Sequence, residues 1–319
     1  MDMPIPILIL AGSDRRAGPI PQGLRHEDLL SAYKGALPLP WGGCLAGELA
    51  SRLRQSQRFA DPILVGPTSV YSGIVDCEIV NAERALAVTL SRVARLLQER
   101  FDAEQSVAIT TCDILPTPGE LRELLRSRYY PHIECHFFWH IDAAEPDDLG
   151  ASAWKLRYAL RVAQGDPPQT VYPGHLVILR PGSVRFELIN DVLVAAYRYR
   201  NWPLRDRFLP ILRRGLGPLI KQDLLNLRRF QLPLLTVSMP WHLLRACRGI
   251  RRATLTLPDF EQHLARTVLH RRYLNTLRPF VITLTHHVAF AKDIDTSAEL
   301  EELGADTDAR HVGTLHEQQ

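Results

Sequence analysis

Apolar positions along this chain fall into short, nearly unbroken runs separated by segments with helical spacing. Residues 5–12 are almost wholly apolar and end at Gly12. That composition predicts a strand covered on both faces, as in a parallel sheet with helices on each side. Residues 13–30 are polar, with Gly18, Pro19, Pro21 and Gly23, and read as a long loop. Helical spacing over 45–53 leads into a second strand at 61–66, and a short third strand follows at 78–80. An amphipathic helix is predicted over 85–97 and a strand over 106–111, closed by Asp113. Pro118, with Glu120 close behind, starts the next helix, since proline suits a first turn and acidic groups suit an N-terminus. Strand–helix–strand repetition over 5–125 predicts a doubly wound α/β sheet. Ligands of such sheets sit beyond the carboxyl ends of the strands, and Gly12 and Asp113 both fall there.

The pattern changes at about residue 132. Segments 136–139 and 156–161 read as strands, and 171–180 as a Gly-bearing turn followed by a strand. Residues 183–260 read as mainly helical, broken by Pro203, Pro210, Pro218, Pro233 and Pro240. A late strand is expected at 281–284. The division predicted is a doubly wound half (1–130), a second half of the same domain (131–303) with a helical insertion at 183–275, and a frayed tail (304–319).

Composition narrows the class. At 46% hydrophobic and 23% charged, the chain has an ordinary soluble balance. Its five cysteines (44, 77, 112, 135 and 247) are widely spaced, with no CxxC pair. That argues against structural zinc and for a reducing cytoplasm. The N-terminal apolar run carries Asp2 and no basic region, so it reads as a strand and not a signal peptide. No window offers the roughly 18 apolar residues of a spanning helix. A net charge of +3 says little about partners.

Several residues are candidates for chemistry. LAGSDRRAG is neither GxGxxG nor a Walker loop. Gly12 therefore reads as a phosphate contact, a left-handed turn or a simple strand end. Arg15, Arg16 and Lys34 follow it; they could neutralise phosphate oxygens beside backbone N–H groups, or belong to a solvated basic loop. Asp113 reads as a metal carboxylate or as a helix cap. In AKDIDTSAEL, Asp293 and Asp295 share a face if extended. Two such carboxylates suit a divalent cation, although Asp295 also fits the N-terminus of the helix that follows.

Together these stretches resemble the GT-A type nucleotidyltransferases, specifically the MobA-like NTP transferase group. The resemblance is carried by LILAG with its Arg-bearing loop, YKGALPLPWGG before helix 45–53, TTCDILPTPGELRELL, and the closing DID. It implies a three-layer, Rossmann-like, mixed but mostly parallel sheet with a helical insertion. It further implies that Ala11, Gly12, Ser13, Arg16 and Gly18 cradle a nucleoside triphosphate, that Lys34 is the signature lysine, and that Arg15 supports the same charge. Asn81 would lie near base and ribose, with Thr89 standing where many relatives have Asn. Asp113, with Asp293 and Asp295, would hold Mg²⁺ or Mn²⁺. YPGHLVILRP resembles the element bordering the acceptor, with Gly174 and His175 there and His175 at an Asn position. The activity implied is transfer of NMP from an NTP to a phosphorylated sugar, alcohol or lipid-linked acceptor, releasing pyrophosphate. A glycosyltransferase using a nucleotide sugar and a nucleotide-binding homologue without turnover are the alternatives.

Segment 197–230 holds nine basic and two acidic residues among many apolar ones. No recognition helix or RNA-binding signature accompanies it, which argues against nucleic acid. It suits either the outer face of a helical core or peripheral contact with an anionic membrane. For the neighbouring groups simpler readings are expected. His136 and His140 lie in a strand and do not form a helical ligand pair. Of His286 and His287, one packs and the other faces water. Cys112 is a small buried neighbour of Asp113 and not a nucleophile.

Overall fold

The computed structural model describes residues 4–12, 33–82, 86–128, 135–145, 147–149, 157–186, 188–190, 204–228, 234–294, 296 and 298–302. The apolar runs become strands of one sheet: β1 (Ile7–Leu10), β2 (Ile63–Gly66), β3 (Glu78–Asn81), β4 (Val107–Thr111), β5 (Phe137–Ala143), β6 (Tyr158–Leu160), β7 (Gln169–Leu179) and β8 (Phe280–Thr285). Their order is β3-β2-β1-β4-β7-β5-β8, with β6 also paired to β7. β1 to β4 are mutually parallel, and β5 is parallel to β8. β7 alone runs against β4 on one side and β5 on the other. The carboxyl ends of β1–β4, β5 and β8 therefore share one edge of a mixed, mostly parallel, Rossmann-like sheet.

The helices are α1 (Leu45–Gln55), α2 (Thr68–Tyr71), α3 (Leu86–Arg100), α4 (Pro118–Arg128), α5 (Leu204–Arg228), α6 (Leu235–Arg251) and α7 (Leu257–Val268). Alternation along the strands feeds a core on each face of the sheet. Ile7 and Ile9 pack with Leu49 of α1 and Leu121 of α4. Leu8, one residue between them, points to the other layer with Leu96 of α3 and Phe260 of α7.

Two sequence expectations change. Pro210, Pro218 and Pro240 lie inside helices and do not end them. An interior proline loses one backbone bond and clashes with the preceding turn, at a cost of about 3 kcal/mol, so the helices need compensation. Part of it is visible in the Leu188–Leu219–Met239 contact. More comes from Asp223 of α5, whose carboxylate accepts from the N–H groups of Leu235 (3.0 Å) and Thr236 (2.7 Å) and so ties down the start of α6.

The second change is at Pro173–Gly174, where β7 continues as strand through the expected turn. β6 pairs with β7 as far as Val171, and β4 pairs with the same edge only from Leu176. Among the described residues no strand pairs with 172–175 on that edge. Proline lacks an N–H to give a partner, so this opening tolerates Pro173. The opening lies where β4 ends.

Candidate active site

The site grows from the carboxyl end of β4. Cys112 N–H still bonds Leu10 O, and the chain then turns and presents Asp113. Asp113 is not the cap of α4. Thr117 and Glu120 form that cap reciprocally, with Glu120 N–H donating to Thr117 Oγ1 (3.2 Å) and Thr117 N–H donating to Glu120 Oε2 (2.7 Å). The carboxylate of Asp113 is thus left for other work.

Lys34 arrives in a short 3₁₀ turn, Lys34–Ala36. Gly35 makes this approach feasible, because a Cβ there would lie 2.9 Å from Tyr71 Oη and 3.0 Å from Cys112 Sγ. Lys34 Nζ then stands 3.5 Å from Asp113 Oδ2. Asp293 comes from the segment after β8, pinned beside the first carboxylate because Ile294 N–H donates to Asp113 O at 2.9 Å. His175, in the opening of β7, brings Nε2 to 2.9 Å from Asp293 Oδ1. One ligating atom each from Asp113, His175 and Asp293 lies within 4.8 Å of the others. Asp113 Oδ1 is buried without a hydrogen-bond partner among the described residues. Two close carboxylates repel, and a buried oxygen without a partner is costly. A divalent cation would relieve both, so this donor set fits one.

Gly12 ends β1 without a positive φ, which removes the left-handed-turn reading. Its missing side chain instead admits α3, since a Cβ would lie 2.4 Å from Thr89 Oγ1. Ala11 N–H bonds Val65 O, extending the strand pairing. Asn81 is exposed at the end of β3, and its Oδ1 accepts from Thr68 N–H at 3.1 Å. Ser13, Arg15, Arg16, Gly18 and Asp295 lie outside the described residues. The helix that follows has a cap at Thr296: Glu299 N–H donates to Thr296 Oγ1 (3.3 Å) and Thr296 N–H to Glu299 Oε2 (3.1 Å).

Beneath Gly174 and His175 lies a buried pair that sequence reasoning missed. His140 Nδ1 is 2.9 Å from Leu176 O. A carbonyl only accepts, so Nδ1 carries the proton and Nε2 is the lone-pair side. That Nε2 faces Asp142 Oδ2 at 3.6 Å, while the Thr285 hydroxyl donates to Asp142 Oδ1. Burial pushes the Asp142 carboxyl up to about 7 and His140 down to about 3, so desolvation disfavours the charged form of each and leaves the imidazole neutral. A polar pair at i, i+2 in an otherwise apolar strand was the available signal. Opposite His140, the register between β5 and β7 steps from Trp139–Val177 to Ile141–Pro173, so the extra residues lie in β7 around Gly174 and His175, while β5 itself stays in step with β8.

The simpler expectations fare well. Cys112 is buried, and desolvation raises its thiol far above the usual range, so it does not act as a thiolate. His286 is exposed, whereas His287 is half-buried between Glu120 and Glu123.

No protein-family model matches the sequence, and no curated protein does. Among solved structures, a hypothetical transferase from Thermus thermophilus is 19% identical with a TM-score of 0.50. The match covers 93% of this chain and 100% of that one. A CMP:2-keto-3-deoxy-manno-octonic acid synthetase complexed with CTP is 12% identical over 96% of this chain and 98% of that one, with a TM-score of 0.44. The first likeness establishes a shared fold class: an α/β protein with a mixed, mostly parallel sheet between helical layers. At these identities the likeness shows the fold alone, and function has to be argued from the site.

Proposed function

We propose that the protein is a nucleotidyltransferase that moves NMP from an NTP to a phosphorylated acceptor, a sugar, alcohol or lipid-linked phosphate, and releases pyrophosphate. The observation that supports this most is the Asp113–His175–Asp293 donor triangle beside Lys34, at the carboxyl edge of the parallel strands. Asp113 and Asp293, with Asp295, would hold Mg²⁺ or Mn²⁺. When bound, the ion supplies Lewis-acid polarisation and charge neutralisation for the triphosphate. Ala11, Gly12, Ser13, Arg16 and Gly18 seat that triphosphate, and Asn81 borders the nucleoside. Lys34 exchanges its carboxylate partner for a phosphate oxygen, and with Arg15 it stabilises the charge that builds on the leaving group. Gly174 and His175 border the acceptor, whose phosphate oxygen attacks the α-phosphorus as the bond to the departing pyrophosphate breaks. An acceptor phosphate is already anionic near neutrality, so no strong general base is needed.

The test is pyrophosphate release with each of CTP, GTP, ATP and UTP against a panel of sugar and alcohol phosphates, with Mg²⁺ or Mn²⁺. Metal-dependent release with one NTP and one acceptor class is the expected result. Consumption of a nucleotide sugar without pyrophosphate would favour glycosyl transfer. Nucleotide binding without turnover in any combination would favour the inactive homologue and reject the proposal.

A lipid-bearing acceptor agrees with the outer face of α6. Val237, Trp241 and Leu244 recur at i, i+4 and i+7 and are 70%, 52% and 57% exposed. Arg245, Arg248 and Arg251 follow, with no acidic residue in the helix, and the Arg245 guanidinium lies 4.8 Å from the Trp241 ring centre. None of the described helices is long and apolar enough to cross a membrane. We therefore infer peripheral contact with anionic lipid, where each basic group near the surface contributes about 1 kcal/mol. The protein should co-sediment with phosphatidylserine vesicles and not with phosphatidylcholine vesicles, and Trp241→Glu should abolish this. Equal behaviour with both vesicle types would reject the inference.

A further inference from the structure

We propose that His175 is a third metal ligand and tunes the site toward Mn²⁺, Co²⁺ or Zn²⁺ over Mg²⁺. This rests on the reading above that Asp113 and Asp293 hold the catalytic ion. Mg²⁺ is a hard cation that prefers an octahedral shell of oxygens and keeps several waters. An imidazole nitrogen instead suits first-row transition metals. His175 Nε2 meets the carboxylates at ligand-sharing distance, 2.9 Å from Asp293 Oδ1, on a side chain only 23% exposed.

The surrounding strand holds that imidazole in place. Leu176 pairs with Thr110 of β4, and Pro173 pairs with Ile141 of β5, so both flanks of the residue are fixed. Between them Trp139 Nε1–H donates to Gly174 O at 3.0 Å, and the buried His140 ring occupies the space beneath. His175 itself sits in a short bulge, between paired flanks and beside the Gly174 carbonyl held by Trp139. A ligand anchored so closely on both sides loses little freedom when the ion binds, which favours direct coordination over a mobile surface contact. A charge pair between imidazolium and Asp293 with no metal contact is the competing account.

The experiment uses the full-length protein and metal alone, without nucleotide. Titrations with MnCl₂ and MgCl₂ are compared for the wild type, His175→Asn and Asp113→Asn. The wild type should bind Mn²⁺ more tightly than Mg²⁺. Loss of a ligand's outer-sphere partner already costs about 10-fold in affinity, so His175→Asn should weaken Mn²⁺ by at least ~10-fold, while Mg²⁺ binding stays nearly unchanged. Pulsed electron paramagnetic resonance of the wild-type Mn²⁺ complex should show ¹⁴N coupling from a directly bound imidazole, a readout that requires no variant to fold. Absence of that coupling, or equal effects of His175→Asn on both ions, overturns the proposal. Asp113→Asn separates the two readings. If it leaves metal binding intact, the assigned ion site itself is wrong. If it abolishes binding while the Mn²⁺ complex lacks nitrogen coupling, only the role of His175 fails.

Discussion

Asp113→Asn should lower pyrophosphate release by about 10³-fold while leaving the metal-free protein folded, as expected when one preorganised group facing transition-state charge is lost. The substitution keeps the shape of the side chain and removes its charge. What Asp113 contributes to the fold comes mainly from its backbone, since its carbonyl accepts from Ile294 N–H and Thr117, not Asp113, caps α4. The Lys34 ion pair would be lost, but a partly exposed pair is worth only about 0–1 kcal/mol. Removing one of two close carboxylates also relieves repulsion, which offsets part of that loss. The clearest signature is therefore a contrast. Wild-type protein should gain stability when Mn²⁺ or Mg²⁺ is added, through preferential binding to the native state, and the variant should not. Turnover and metal-dependent stabilisation that both survive the change would sink the metal role of Asp113. A large loss of metal-free stability would make it a structural residue instead.

The first half of the chain was legible because its signals are local. The apolar run over 5–12 became β1, the strand expected over 106–111 became β4, and Pro118 opened α4 as its position required. Two features resisted local reading. Pro173–Gly174 carries strong turn chemistry, yet it lies within β7 because, among the described residues, the sheet edge there has no partner strand to be denied an N–H. Pro218 and Pro240 likewise sit in helices supported by tertiary contacts that no window of sequence displays. The same holds for the site. Asp113 and Asp293 each stood at a recognisable strand end or motif. The closeness of His175 to Asp293 depends on β7 running against its neighbours, which periodicity cannot show. Asp142 was hidden for a related reason, since a lone acid in an apolar strand gains meaning only once His140 and Thr285 are seen around it.

Gly174 joins these long-range features, and replacing it should have the largest effect on stability. A Cβ at this position would lie 1.8 Å from His140 Nε2 and 2.2 Å from its Cδ2. The ring cannot easily retreat. It is fully buried, held by Leu176 O through Nδ1, and packed edge-on against Phe290 with ring centres 4.7 Å apart. Gly174→Ala should therefore cost about 3 kcal/mol, the upper end of ordinary overpacking, as read from the midpoint of urea unfolding. The strain falls next to His175, so the variant should also bind Mn²⁺ more weakly than the wild type. A double-variant cycle identifies the cause. His140→Ala removes the obstructing ring and should be destabilising alone by about 2–4 kcal/mol through its cavity. Added to Gly174→Ala, it should cost clearly less than the sum of the two, because residues in contact couple by about 0.5–3 kcal/mol. Simple additivity would show that the His140 ring does not determine why glycine occupies this position. A Gly174→Ala protein as stable as the wild type would show that β7 and the His140 ring on β5 yield easily, and that His175 is not held rigidly toward Asp293.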